Sequence, residues 1–133
     1  MGPEGNPGEV KRKQGTFYFF RQNPDDDKNA IVVPRFDNID ISNGLEWSLD
    51  GKIMYYVDTL THTIEAFDFD PENGGLENRR TVFDLKSLEN LKIPFPDGMT
   101  IDTRGHLWVA VFGSSQVNSG NTLGKFQGHL KSD

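Results

Sequence analysis

The sequence predicts an all-β chain of the propeller type, and three observations carry that expectation. The first is an internal repeat: Asn43-Gly44-Leu45-Glu46-Trp47-Ser48-Leu49-Asp50-Gly51-Lys52 and Asp97-Gly98-Met99-Thr100-Ile101-Asp102-Thr103-Arg104-Gly105-His106 follow one template, offset by 54 positions. Each copy opens with an amide or carboxylate followed by Gly, runs through a short apolar segment, and turns at a Gly before a second apolar segment. The second observation is spacing. Four strand candidates fit between Gly44 and Leu85, and four short strands per repeat of about 50 residues mark propeller blades or another stacked β array. The third is the scarcity of helical periodicity, the best helix candidate being a short piece around Lys86 to Leu91.

Taken in order, the first ten residues hold three Gly and two Pro and read as a loop. Gly15 to Arg21 is rich in aromatics and reads as a strand, the cluster Asn23-Pro24-Asp25-Asp26-Asp27 as a turn, and Ala30 to Phe36 as a second strand. Strands are then expected at Leu45–Ser48, Ile53–Asp58, Thr63–Phe69 and Arg80–Leu85, joined by turns at Asp50-Gly51, Thr59-Leu60-Thr61-His62 and Asp70 to Gly75. A further unit opens with strands at Met99–Asp102 and His106–Phe112 and a third at Ser115–Val117. Residues 118–133 show no strand alternation and read as a disordered polar tail, outside the propeller-like part at 1–117. The strand count gives about two to three blades, whereas a closed propeller has about 4 to 8. The expectation is therefore a propeller truncated at both ends.

Composition narrows the partners. The net charge of −6 argues against nucleic acid or an anionic membrane, both of which require a basic face. There is no cysteine, which excludes disulfides, thiolate nucleophiles and Cys zinc sites. No apolar run approaches the roughly 18 residues of a membrane span. Met1-Gly2-Pro3-Glu4-Gly5 lacks the basic and apolar regions of a secretory signal, so the expected location is cytoplasmic. Oligomeric state is not legible.

Larger blocks carry a resemblance. Ile41 to Asp50, Tyr55-Tyr56-Val57-Asp58-Thr59, Phe67-Asp68-Phe69-Asp70, Asn78-Arg79-Arg80, Pro96-Asp97-Gly98-Met99 and Gly105 to Ala110 follow one another with the order and spacing of a known family. The sequence resembles the regucalcin (senescence marker protein), gluconolactonase and luciferin-regenerating enzyme family over nearly everything from Met1 to Val117. That resemblance implies a six-bladed β-propeller whose axial pocket holds one divalent cation and hydrolyses sugar lactones. It places a metal ligand on Asn43, and on Asp97 a second ligand that is also the catalytic proton acceptor. It places a substrate-binding residue on Glu4. The implied cation is calcium or zinc, with magnesium or manganese as alternatives, and the implied partner is a small sugar lactone. The family's third ligand, a Glu, and its further sugar-binding Arg and Asn have no counterpart here, so an incomplete or inactive form of the hydrolase is expected. The alternative is a non-enzymatic calcium-binding or regulatory propeller.

The residue chemistry agrees with that reading without demanding it. An amide oxygen and a carboxylate suit calcium or magnesium and also hold zinc or manganese, while Asn-Gly and Asp-Gly are equally ordinary turn pairs. Asp50 and Asp102 read as turn residues. Asp68 and Asp70 superficially resemble a calcium loop, but the glycine is one position late and Arg79 stands where the loop needs Glu. Asp25-Asp26-Asp27 reads as a solvated turn. His62, His106 and His129 lack partners at metal-ligand spacing, and Ser48, Ser114 and Ser115 lack a nucleophile elbow. Trp47 and Trp108 are expected to pack between blades.

Overall fold

The computed structural model describes residue 9, residues 11–88, residues 94–113 and the backbone of residues 122–126. Nearly all of this is strand, arranged as antiparallel sheets of two, four and three strands. The chain divides into two compact units, one up to Asp40 and one from Ile41 onward.

The first unit is a hairpin of β1 (Gly15–Asn23) and β2 (Asp26–Ile39). Pro24 and Asp25 form its turn, and the Asn23 side chain accepts a hydrogen bond from the Asp25 amide at 3.0 Å. Asp26 follows suit, accepting from the Lys28 amide and the Asn29 side chain. Of the three carboxylates in the cluster, Asp26 is thus engaged within the turn, with the Asn29 bond holding it below the usual carboxylate range. Phe17 stacks on Phe36 at 4.9 Å between ring centres, and the Arg35 guanidinium lies over Phe19.

The second unit opens with a meander of β3 (Ser42–Trp47), β4 (Ile53–Asp58), β5 (Thr63–Asp70) and β6 (Gly75–Asp84). A second sheet follows from β7 (Pro94–Ile101), β8 (Leu107–Gly113) and β9 (Thr122–Phe126). β4 explains why the sheets stack. All six of its residues are buried, so both of its faces must be covered. On one face Ile53, Tyr55 and Val57 pack with Ile64 and Ala66 of β5 and with Leu107, Val109 and Val111 of β8. Each strand contributes every second residue, the period-2 signature of a sheet face. A fully buried aliphatic side chain stabilises by about 1.5–3 kcal/mol, so this cluster is the main adhesive of the unit.

Several boundaries differ from expectation. β6 begins at Gly75, not at Arg80, because its exposed Glu77, Asn78 and Arg79 are an edge strand's polar face, and Asn78 takes a left-handed φ of 53° at a register shift. Arg79 binds Glu65 of β5 through two nitrogens at 2.8 and 3.1 Å, and Arg80 reaches Asp68 at 3.0 Å. β7 begins at Pro94; its two prolines sit where a strand edge needs no N–H. The expected helix is a single 3-10 turn, Leu85–Ser87, and residues 89–91 of that stretch lie outside the described residues. The expected strand at Ser115–Val117 also lies outside them. The described third strand is β9, in the stretch that reads as a polar tail, and it pairs with β8 from Leu107↔Phe126 to Val111↔Thr122. Its backbone hydrogen bonds need no apolar alternation in the sequence.

Candidate functional site

The two copies of the repeat fold alike. In β3 the pairing with β4 passes from Ser42↔Asp58 to Leu45↔Tyr56, so three steps on β3 face two on β4. In β7 the pairing with β8 passes from Pro96↔Val111 to Met99↔Val109, again three steps against two. Each strand therefore bulges, at Asn43-Gly44 and at Asp97-Gly98. Bulges re-aim side chains and are common beside active sites.

Gly44 brings the two bulges together. It is buried, and a Cβ there would stand 2.7 Å from the Asp97 carbonyl oxygen and 2.9 Å from the Met99 Cβ. Only a residue without a side chain lets β3 approach β7 this closely. Asn43 and Asp97, far apart in sequence, are thus carried on adjoining strand segments, and both are half-buried.

The turn between β4 and β5, a 3-10 turn at Thr59–Thr61, supports this junction. The Thr59 hydroxyl donates to the Pro96 carbonyl at 2.8 Å and accepts from the Asn43 side-chain nitrogen at 3.1 Å. His62, left-handed at φ 61°, hydrogen-bonds the Pro94 carbonyl through Nδ1. A carbonyl can only accept, so Nδ1 carries the proton. The buried Asp58 accepts from the Ile41 amide at 2.9 Å and so fixes the approach to β3. Among the described residues, Asn43 Oδ1 and the Asp97 carboxylate oxygens accept no hydrogen bond. They are oxygen donors suited to a hard or borderline cation. No group of three or more His, Asp or Glu that could hold a metal occurs among the described residues. Glu4 lies outside the described residues.

The remaining polar candidates have structural work. Asp50 accepts from the Ser48 hydroxyl at 2.6 Å and the Lys52 amide at 3.0 Å. Asp102 accepts from the Arg104 and His106 amides, from Trp108 Nε1 at 3.0 Å and from His106 Nδ1 at 3.1 Å. The Trp108 bond above all holds the Asp102 carboxyl well below its ordinary range. Asp68 is engaged by Arg80 and Asn78, and Asp70 by the Glu72 amide, at the end of the sheet away from Asn43. Trp47 packs edge-on against Phe69 at 5.6 Å, and Trp108 donates to the Asp102 carboxylate. Sequence reasoning missed Thr59 and His62. Neither has a signal of its own: Thr59 ends the Val57-Asp58-Thr59 block, which reads locally as a strand end, and His62 reads as part of the turn that follows.

Stacked antiparallel sheets of this kind, related by a repeat, define a class of protein before any particular relative is named. Residues 3–132 match the SMP-30/Gluconolactonase/LRE-like region family. The chain belongs to that family. It is 44% identical over 117 residues to regucalcin of Gallus gallus and equally to that of Homo sapiens. Those alignments cover 88% of this chain and 36% of each relative, so the chain spans about a third of their length. Among solved structures, a luciferin-regenerating enzyme superposes with a TM-score of 0.62 at 37% identity, covering 84% of this chain and 33% of that one. A gluconolactonase of Xanthomonas campestris superposes with a TM-score of 0.50 at 29% identity, over 71% and 30% of the two chains. The fold is all-β and corresponds to part of a β-propeller. No helix among the described residues is long and apolar enough to cross a membrane.

Proposed function

We propose that Asn43 and Asp97 are ligands in the divalent-cation site of a sugar lactone hydrolase, with Asp97 also the proton acceptor and Glu4 contacting substrate hydroxyls. The reading rests above all on the paired bulges, which carry two oxygen donors on adjoining strands with their oxygens unengaged among the described residues. Calcium or zinc suits this donor pair, and magnesium or manganese is the alternative. A bound cation lowers the pKa of a water and polarises a carbonyl oxygen. Asn43 offers a neutral amide oxygen, so it shapes the site without adding charge. Asp97 contributes the negative charge and takes the proton from the water whose oxygen attacks the lactone carbonyl. The ring carbon–oxygen bond then breaks, and its oxygen is protonated to give the open hydroxy acid. The gluconolactonase among the related structures supports a sugar lactone as substrate.

A second reading, a calcium-binding protein without hydrolytic activity, is favoured by the donor count: the pair holds one acid, and among the described residues no group of three or more His, Asp or Glu surrounds it. Hydrolysis of gluconolactone in a pH-stat, with calcium, zinc, magnesium or manganese added, separates the two. The hydrolase reading expects metal-dependent turnover that falls about 10²–10⁴-fold in Asp97→Ala. Saturable calcium binding with no turnover favours the second reading, and turnover unchanged in Asp97→Ala contradicts the role given to Asp97.

A further inference from the structure

We infer that Thr59 is the positioning residue of this cation site, its hydroxyl deciding which atom of the Asn43 amide is presented as ligand; the inference rests on the assignment of Asn43 and Asp97 proposed above. Thr59 Oγ1 lies 2.8 Å from the Pro96 carbonyl oxygen and 3.1 Å from the Asn43 side-chain nitrogen. The carbonyl can only accept, so the single hydroxyl proton goes to Pro96. Oγ1 then has only lone pairs left to offer, and the Asn43 atom facing it must be a donor. With the amide turned over, Oδ1 would face Oγ1 with no proton between them. Nδ2 is therefore committed to Thr59, and Oδ1 is turned away from it, available to a cation.

The same hydroxyl grips the peptide immediately before Asp97, so one oxygen atom ties the bulge of β3 to the bulge of β7. Thr59 is itself held in place. Its amide donates to the Ile41 carbonyl at 3.0 Å, and the buried Asp58 before it binds the Ile41 amide. Partners that orient a metal ligand in this way typically change affinity by about 10–100-fold when removed.

The test is a titration of the 133-residue chain with Mn²⁺, followed by the electron paramagnetic resonance signal of the free ion. Thr59→Val keeps the shape and removes the hydroxyl; it should weaken Mn²⁺ binding about tenfold or more, while Thr59→Ser stays within about twofold of wild type. Asn43→Ala and Asp97→Ala serve as references. If both references bind as wild type does, or the wild type shows no saturable binding, the cation site itself is wrong and the inference falls with it. If the references lose affinity and a folded Thr59→Val does not, only the role of Thr59 is overturned. Should Thr59→Val not fold, proton exchange at the wild-type Asn43 amide decides. Exchange slower than at the exposed Gln22 amide supports the inference, and exchange as fast overturns it.

Discussion

The β3–β4 and β7–β8 hairpins are two executions of one template, and they divide the labour unequally. Both bulge at the residue that opens the repeat, and both turn on a left-handed glycine, Gly51 at φ 72° and Gly105 at φ 83°. The bulge glycines differ: a Cβ at Gly44 would collide with the Asp97 carbonyl, while a Cβ at Gly98 would meet nothing within 4 Å. The turns differ as well. The first combines the Ser48 hydroxyl with Asp50, whereas in the second Asp102 alone gathers two amides, an indole and an imidazole. Repetition in sequence thus preserves the backbone path, while close approach is required of only one copy.

The sharpest way to break that asymmetry is to fill the glycines. Gly44→Ala should destabilise by about 3 kcal/mol, the upper end for forcing a methyl group into a packed site, because the obstacle is backbone. Gly98→Ala, with open space around it and no left-handed φ, should be neutral or stabilise by up to about 1 kcal/mol. Urea unfolding followed by circular dichroism measures both, and equal losses would show that the two bulges are equivalent after all. The turn glycines should behave alike, since a left-handed conformation costs an L-residue about 1–2 kcal/mol wherever it occurs. Gly51→Ala and Gly105→Ala should therefore fall together in the same assay.

Acid should separate the turns. The Asp102 carboxyl is held below its ordinary value by Trp108 first and by the His106 and Arg104 amides after it. A depressed folded pKa stabilises above the unfolded carboxylate value of about 4 and loses that contribution as pH falls below it. Asp102→Asn should start with a lower Tm at pH 6 and lose less of it on acidification than wild type does. Parallel melting curves from pH 6 to 2.5 would contradict the role given to Asp102. The smallest effect is reserved for the tryptophans. Trp47 Nε1 is buried without a partner among the described residues, so Trp47→Phe removes no hydrogen bond; Trp108→Phe removes the bond to Asp102 and should lower Tm more.

How far the sequence reveals this depends on where the information resides. The offset of 54 places Gly51 on Gly105 and Asn43 on Asp97, and the structure gives each pair the same backbone role. Ile53–Asp58 is legible to the residue because five apolar or aromatic positions, closed by Asp58, are bracketed by turns. β6 and β7 are misjudged at their starts because Asn78, Pro94 and Pro96 oppose strand formation locally, and edge position overrides that preference. Thr59 and His62 are invisible because their partners are carbonyls of Pro96 and Pro94, and backbone acceptors leave no trace in residue type.

Whether the paired bulges set Asn43 and Asp97 into one cation site can be read from paramagnetic broadening. Substoichiometric Mn²⁺ added to ¹⁵N-labelled protein should erase the amide signals of Gly44 and Gly98 together, before those of any other segment. Broadening of only one of the two, or broadening that begins at the acidic end of the β5–β6 hairpin near Asp68 and Asp70, would contradict a shared site.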